Sequence, residues 1–404
     1  MHSTYADWGA LLRDFEVVGA DSWEALDSGG KLYLRPGGNG LRTAHRFLAL
    51  MAGRYYALVR DIIRRYDARA LILGDRYQSF FFPEVARACG RYVDAASSNL
   101  NASWCDGTFP RFYLDTLHAL TGKPILASEF YMASSRNRSG DRNSHGVFPV
   151  AATQRARAAG FETTLRSLLE LPYVVGADWF QYYDEPPFGR FDGEDYNFGL
   201  VDIHNEPYSL LIETASRLQS TELKSTRTPP EWNASQGVPL APTDPMGQFR
   251  PGLALLRWDR ARGFVKPESA FPLADLYLAW TPRALYAGLY AQEVVEPNFY
   301  RKKQVPEEDR AEWIFSIPGS GPAINCRIGA GLEPRVTDAA VRIVNSSGVN
   351  LDVRNISALE LPARLFGRER FRAGDTVEFK SVLDSYCRVY RTEWSGKFRL
   401  AEIR

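Results

Sequence analysis

Hydrophobic and polar positions follow two different rhythms along the 404-residue chain. Up to about residue 220, short apolar runs are each followed by a stretch with helical spacing. The runs are Ala70–Gly74, Tyr92–Ala96, Pro124–Ser128 and Tyr173–Ala177; the helical stretches are Pro83–Cys89, Arg111–Thr121, Thr153–Glu170 and Tyr208–Ser220. Strand alternating with helix predicts βα units and a parallel sheet covered by helices. Ahead of them, Phe47, Leu50, Met51, Tyr55, Leu58, Val59 and Ile62 recur at helical spacing, which predicts a long helix over Thr43–Tyr66 with this stripe in the core. Asp7–Ser28 reads as a short helix and loop, and Gly29–Gly40 as a glycine-rich surface segment.

Beyond Ser220 the rhythm changes. Residues 221–250 are proline-rich with little periodicity and predict a linker. Residues 251–404 alternate over short runs: Leu253–Trp258, Asp275–Trp280, Ala284–Ala291, Ala311–Ile317, Ala339–Asn345, Val349–Arg354, Thr376–Leu383 and Cys387–Trp394. Such runs between Gly, Pro and Asp turns predict an antiparallel β-sandwich, with Trp258, Trp280 and Trp313 in its core.

Polar residues stand just past the end of every strand in the first part: Asp75 and Arg76, Ser97 to Asn101, Glu129, and Asp178 to Asp184. That placement favours a (β/α)8 barrel, whose active sites lie on this face, over a doubly wound sheet with one polar switch point. Glu129 closes the apolar run Lys123-Pro-Ile-Leu-Ala-Ser-Glu129-Phe-Tyr, and burying a carboxylate there costs several kcal/mol unless it is paired. It is a candidate catalytic group; a cap or ion pair is the alternative. Trp179, followed by Gln181 and Tyr182, offers a flat indole beside amide and phenolic groups, which suits a pyranose ring. A plug at the barrel mouth is the alternative for Trp179.

Composition narrows the function. A net charge of +1 gives no field for nucleic acid. No run of 18 apolar residues predicts a membrane span. The four cysteines lack CxxC spacing and the five histidines form no HxH or HExxH, so neither a disulfide framework, a protein-built metal site nor a cofactor is expected. Residues 1–9 show neither a basic nor an apolar segment of a signal peptide; a secreted or periplasmic location is expected only if the full-length gene encodes one.

The text Leu73-Gly-Asp-Arg76, Lys123-Pro-Ile-Leu-Ala-Ser-Glu129-Phe, Pro149-Val-Ala-Ala-Thr-Gln154-Arg-Ala-Arg, Val174-Val-Gly-Ala-Asp-Trp179-Phe-Gln-Tyr and Gly189-Arg-Phe-Asp-Gly-Glu-Asp-Tyr-Asn197-Phe-Gly-Leu-Val-Asp202 resembles, in this order, the C-terminal half of a clan A glycoside hydrolase barrel, most closely the agarase-like members. The resemblance implies that the four strands are the fifth to eighth of a TIM (β/α)8 barrel. It implies a retaining hydrolase of a β-linked polysaccharide such as agar, with Glu129 as nucleophile and Trp179 as aromatic platform. Gln181, Tyr182, Asn99, Asn101, Arg76, Trp104 and Asn197 are the expected substrate-binding neighbours, from strand-end position. Asp178 and Asp184 are rival carboxylates, and Glu185 a substitute acid. In such enzymes the acid/base is an Asn-Glu pair shortly before a Trp-Gly; here Trp8-Gly9 follows Thr4-Tyr5, so that carboxylate is missing. The expectation is therefore a chain inactive until a second chain or an upstream segment completes the barrel. A non-catalytic polysaccharide-binding protein and a structural subunit are the alternatives. Ala274-Asp-Leu-Tyr-Leu-Ala-Trp280 with Leu285-Tyr-Ala-Gly-Leu-Tyr290 resembles, more loosely, the carbohydrate-binding sandwiches appended to xylanases and their DOMON-type relatives.

Overall fold

The computed structural model describes residues 3–221 except 37, 79–80, 101–104, 110 and 145–147. Beyond these it describes 238–240, 274–292, 300–303, 310–329 without 322, 342–349, 354–385 and 390–400. The first part runs α1 (Trp8–Asp14), β1 (Phe15–Val18), α2 (Trp23–Asp27), β2 (Lys31–Leu34), α3 (Gly40–Tyr66), β3 (Arg76–Tyr77), α4 (Pro83–Tyr92), β4 (Ala96–Asn99), α5 (Phe112–Thr121), β5 (Ile125–Phe130), β6 (Ala133–Ser134), β7 (Val150–Ala151), α6 (Gln154–Leu169), β8 (Val174–Trp179) and α7 (Ser209–Thr221). Strands β3, β4, β5 and β8 form one parallel sheet in that order. Side-chain caps set several helix starts. Asp7 accepts from the Ala10 amide at 2.7 Å, Thr153 accepts from Ala156 at 3.1 Å, and α4 opens on Pro83. Helix α5 stops at Gly122, which takes the left-handed conformation at φ 63°.

The helix-facing residues of this sheet, Ile125, Ala127 and Val174, are fully buried against a core that includes Leu114, Leu117, Phe161 and Leu168. Their neighbours along the strands are not: Leu126 is half-buried and Val175 is 53% exposed. Parallel sheets are normally covered on both faces, and here one face is uncovered.

Besides the second strand, which runs Ala96–Asn99 rather than Tyr92–Ala96 because α4 continues to Tyr92, three expectations about the first part need correction. The run Ala70–Gly74 is not a ladder strand; pairing is confined to Arg76–Tyr77. Leu71 and Leu73 face solvent, while Ile72 is held by its carbonyl accepting from the Asp94 amide at 2.8 Å. The stripe of α3 does not form core, for Phe47, Leu50, Met51, Tyr55, Leu58 and Ile62 are exposed. The buried positions of that helix are instead Gly40, Leu41, His45, Ala52 and Tyr56. Third, the segment read as loop and glycine-rich surface forms an antiparallel pair, β1 with β2, closing a small core of Tyr5, Leu11, Phe15, Leu34 and Leu41.

The second part contributes β9 (Val238–Leu240), β10 (Ala274–Trp280), β11 (Ala284–Gln292), β12 (Arg310–Ser316), β13 (Ile324–Gly329), β14 (Arg342–Val349), β15 (Arg354–Pro362), β16 (Thr376–Ser385) and β17 (Tyr390–Leu400). They make two sheets, β10-β11-β15-β14 and β13-β12-β16-β17-β9, antiparallel throughout except for the parallel pairing of β17 with β9. Trp280 and Trp313 are buried. Strand β13 had no counterpart among the sequence runs, and Leu253–Trp258 and most of 221–250 lie outside the described residues. Tyr300 joins the small core around Phe15, and Arg301 pairs with Glu16. Among the described residues no helix is long and apolar enough to cross a membrane.

Candidate functional site

The apolar run of β5 carries Glu129 to the C-terminal end of the parallel sheet. There the neighbouring strand sets Asn99 in register with Glu129. One strand further on, Arg76 closes an ion pair, Nη1 to Glu129 Oε2 at 2.6 Å. The Glu129 side chain is 14% exposed and that of Arg76 52%, so the pair sits at the rim, carboxylate inward and guanidinium outward. Burial pushes the Glu129 pKa up; the Arg76 charge and a hydrogen bond donated by the Asn99 amide pull it down. Glu194 adds to the rise and Arg190 opposes it. Asn99 is buried, and its side-chain oxygen has no partner among the described residues. An acceptor left open beside a carboxylate suits a hydroxyl group.

At the end of β8 stands Trp179. Its indole Nε1 donates to the Phe198 carbonyl at 2.9 Å. Phe130 and Phe161 meet the ring edge-on, each at 5.2 Å, and the Arg157 guanidinium lies 5.7 Å over it. The indole is thus locked on several sides and half-buried. Arg157, fully buried, also donates to the carbonyls of Met132 and Gly199, each at 2.8 Å, which ties the exit of β5 to the loop after β8. Gln181 follows a cis peptide bond after Phe180 and is half-buried, and Tyr182 is 63% exposed.

The remaining expected residues divide. Asn197, expected among the hydroxyl-binding groups, is fully buried, and its oxygen accepts from the Ser134 amide at 2.9 Å; its placement is that of a loop staple. Asn101 and Trp104 lie outside the described residues. Asp178 is exposed. Asp184 is buried and accepts from Ser139 and Tyr208 hydroxyls, each at 2.6 Å, and from the Gly199 amide at 2.8 Å. Glu185 is fully buried, accepts from the Tyr196 amide at 2.6 Å and pairs with Arg190 at 3.2 Å; burial pushes its pKa up to about 7. Arg190 and Glu194, both close enough to act on the charge of Glu129, escaped the sequence reading. Both stand in the Gly189–Asp202 motif text, but nothing in that text assigned them to Glu129. Among the described residues no cluster of His, Cys, Asp and Glu could hold a metal ion.

No family model matches the chain. Beta-agarase B of Vibrio sp. (strain JT0107) is 34% identical over 172 residues, which is 42% of this chain and 17% of that protein. Beta-agarase A of the same strain is 30% identical over 200 residues, 48% of this chain and 19% of that protein. The chain resembles the agarase-like glycoside hydrolases. It spans about a fifth of the length of these two curated agarase relatives. A crystal structure of an agarase overlaps 56% of this agarase-like chain and 31% of its own, at 29% identity and a TM-score of 0.46.

Proposed function

We propose that the chain supplies the nucleophile half of a retaining glycoside hydrolase acting on a β-linked galactan of the agar type. In this reading the parallel sheet is the fifth to eighth strands of a (β/α)8 barrel. Residues 221–250 link it to a carbohydrate-binding-like sandwich over 251–404. The observation that carries it is Glu129, inward at the end of β5, ion-paired to Arg76 and hydrogen-bonded by Asn99. Burial holds the Glu129 pKa above the ordinary carboxylate value despite Arg76 and Asn99, and in its ionised form the carboxylate can attack an anomeric carbon, while Trp179, Gln181, Tyr182 and the open Asn99 oxygen bind the ring and its hydroxyls. Retaining hydrolysis needs a second carboxyl about 5–5.5 Å away to protonate the leaving oxygen. Glu185 is too deep for that role, so the acid/base falls to a segment upstream or on a second chain.

The uncovered faces support the same division. Each large apolar side chain left in water forgoes roughly 1.5–3 kcal/mol of burial, and the outer stripe of α3, Leu71, Leu73 and Val175 all do so. Four more βα units laid against these faces would bury them and close the barrel.

The test is complementation. Residues 1–404 alone should release no reducing ends from agarose, whereas fusion to the upstream barrel half of a beta-agarase should restore release. Glu129→Gln should abolish that activity with the melting temperature held. Turnover by the unaided chain that survives Glu129→Gln would sink the proposal. The second reading, a sugar-binding protein without catalysis, is favoured by the engagement of the nearby carboxyls, since Glu185 is fully buried and Glu194 pairs with Arg190 at 3.4 Å. It predicts saccharide binding unchanged by Glu129→Gln and no activity in the fusion.

A further inference from the structure

The loop between β8 and α7 presents bare aromatic rings to solvent. Phe188 is 100% exposed and Phe191 101%, with Tyr182 at 63% and Tyr183 at 56% near the base of the same loop. A fully exposed Phe is ordinarily a feature of a slack tip, and this tip is not slack. The Glu185 amide donates to the Tyr196 carbonyl at 3.1 Å and the Tyr196 amide returns to the Glu185 carboxylate at 2.6 Å, which closes the base. Within it the Arg190 amide donates to the Glu194 carbonyl at 2.7 Å, and the Gly189 amide to Pro186 at 2.7 Å. The Arg190 guanidinium then gathers Glu185 at 3.2 Å, Asp192 at 2.7 Å and Glu194 at 3.4 Å. Gly189 and Gly193 take φ of 77° and 90°, a conformation that other residues rarely adopt and that lets the loop fold back on itself. The result is a compact loop whose charges are satisfied internally and whose rings point away from it.

We infer that the Phe188 and Phe191 tip is a saccharide-stacking surface for polymeric galactan, separate from the Glu129 pocket. The inference rests on the carbohydrate reading proposed above. Three observations select this occupant. From Tyr182 to Phe191 the exposed large hydrophobic side chains are all aromatic, the aliphatic Ile203 standing apart further along the loop at 39%, whereas the α3 stripe mixes in Leu50, Met51, Leu58 and Ile62 as a protein-packing face does. Rings stack on the C–H face of a pyranose and leave its hydroxyls to water, which aliphatic side chains do less well. The second observation is internal bonding: two rigid rings with two side-chain torsions each lose little freedom on contact. The third is continuity: the loop that carries the tip also holds the platform, the Phe198 carbonyl accepting from the Trp179 indole Nε1 at 2.9 Å and from the Gln181 amide at 3.4 Å, so a chain lying across the tip runs on toward Trp179.

The experiment uses residues 1–404 with the double substitution Phe188→Ser and Phe191→Ser, both at the surface and outside the core. Retention is measured in native gels containing agarose, and binding of an agarose-derived tetrasaccharide by calorimetry. Polymer retention should weaken on the order of tenfold while tetrasaccharide affinity stays within twofold, and Phe188→Tyr with Phe191→Tyr should restore retention. Unchanged retention in the serine variant overturns the inference and leaves the carbohydrate reading standing. Equal loss of tetrasaccharide binding overturns the separateness of the surface. If the native chain binds neither probe, both fall. A native chain that self-associates through these rings, with the serine variant monomeric and retention unchanged, assigns the tip to protein contact instead.

Discussion

Asp141 shows how much a single side chain can hold in reserve. It is 6% exposed, both its carboxylate oxygens lack partners among the described residues, and Asp184, Glu185 and Asp195 lie near enough to repel its charge. Burial first, and those three carboxylates second, push its pKa up to about 7, against about 3.9 in an unfolded chain. The folded state therefore holds a proton that the unfolded state releases, and the stability this contributes is complete below pH 4 and lost as pH rises toward 7. Glu185 acts in the same direction. Melting temperature should fall by several degrees between pH 5 and 7.5, and Asp141→Asn should flatten much of that slope; a slope unchanged in the variant would show that Asp141 is not its source. Glu129 itself was legible from one local feature, a carboxylate terminating a buried apolar run. Its partners Arg76 and Asn99 were legible only as strand-end positions. Arg190 and Glu194 were visible as motif text, but not as neighbours of Glu129, because that depends on a loop folding back through space.

Helices and strands were readable where their signals are local. Helices α4, α5, α6 and α7 match their predicted spans to within a few residues because caps, Pro83 and Gly122 mark their ends. The two-residue β3 was misplaced, since an edge segment with Leu71 and Leu73 in solvent carries strand-like residues without a strand's ladder. Element packing adds a constraint that periodicity does not reveal. Gly90 in α4 approaches α5 so closely that a Cβ there would stand 2.2 Å from the Thr121 carbonyl oxygen. That atom is backbone at a helix end and cannot rotate away. Gly90→Ala should therefore cost about 1–3 kcal/mol, read as a drop in denaturant midpoint, although alanine favours helix elsewhere. A variant as stable as the native chain would mean that the two helices separate readily.

At the scale of the molecule, two parts of different texture share one chain, and the first leaves a row of large apolar side chains exposed. The stripe on α3 has the spacing of a core face and the exposure of a surface. On the proposed reading it is an interface awaiting the other half of a barrel. Leu50→Lys with Leu58→Lys should leave the melting temperature of residues 1–404 within about a degree, because surface changes alter stability by roughly 0.5 kcal/mol or less. The same pair should abolish the activity restored by fusion to an upstream half. Restored activity in the double variant would remove α3 from the interface.

The amino-acid sequence determined, without help, the order of βα units, the change to alternating strands after residue 220, and the likeness to agarase-type hydrolases. Those are consequences of periodicity, turn residues and motif order, all written within a few tens of residues. Tertiary structure supplied the contacts themselves: the ion pair of Arg76 with Glu129 and the register of Asn99 beside it, the burial of Asn197 and Asp184, and the outward turn of the apolar stripe of α3. Burial and proximity depend on which surfaces meet, and the residues that meet stand up to 53 positions apart in the Arg76–Glu129 pair and 63 in the contact of Ser134 with Asn197.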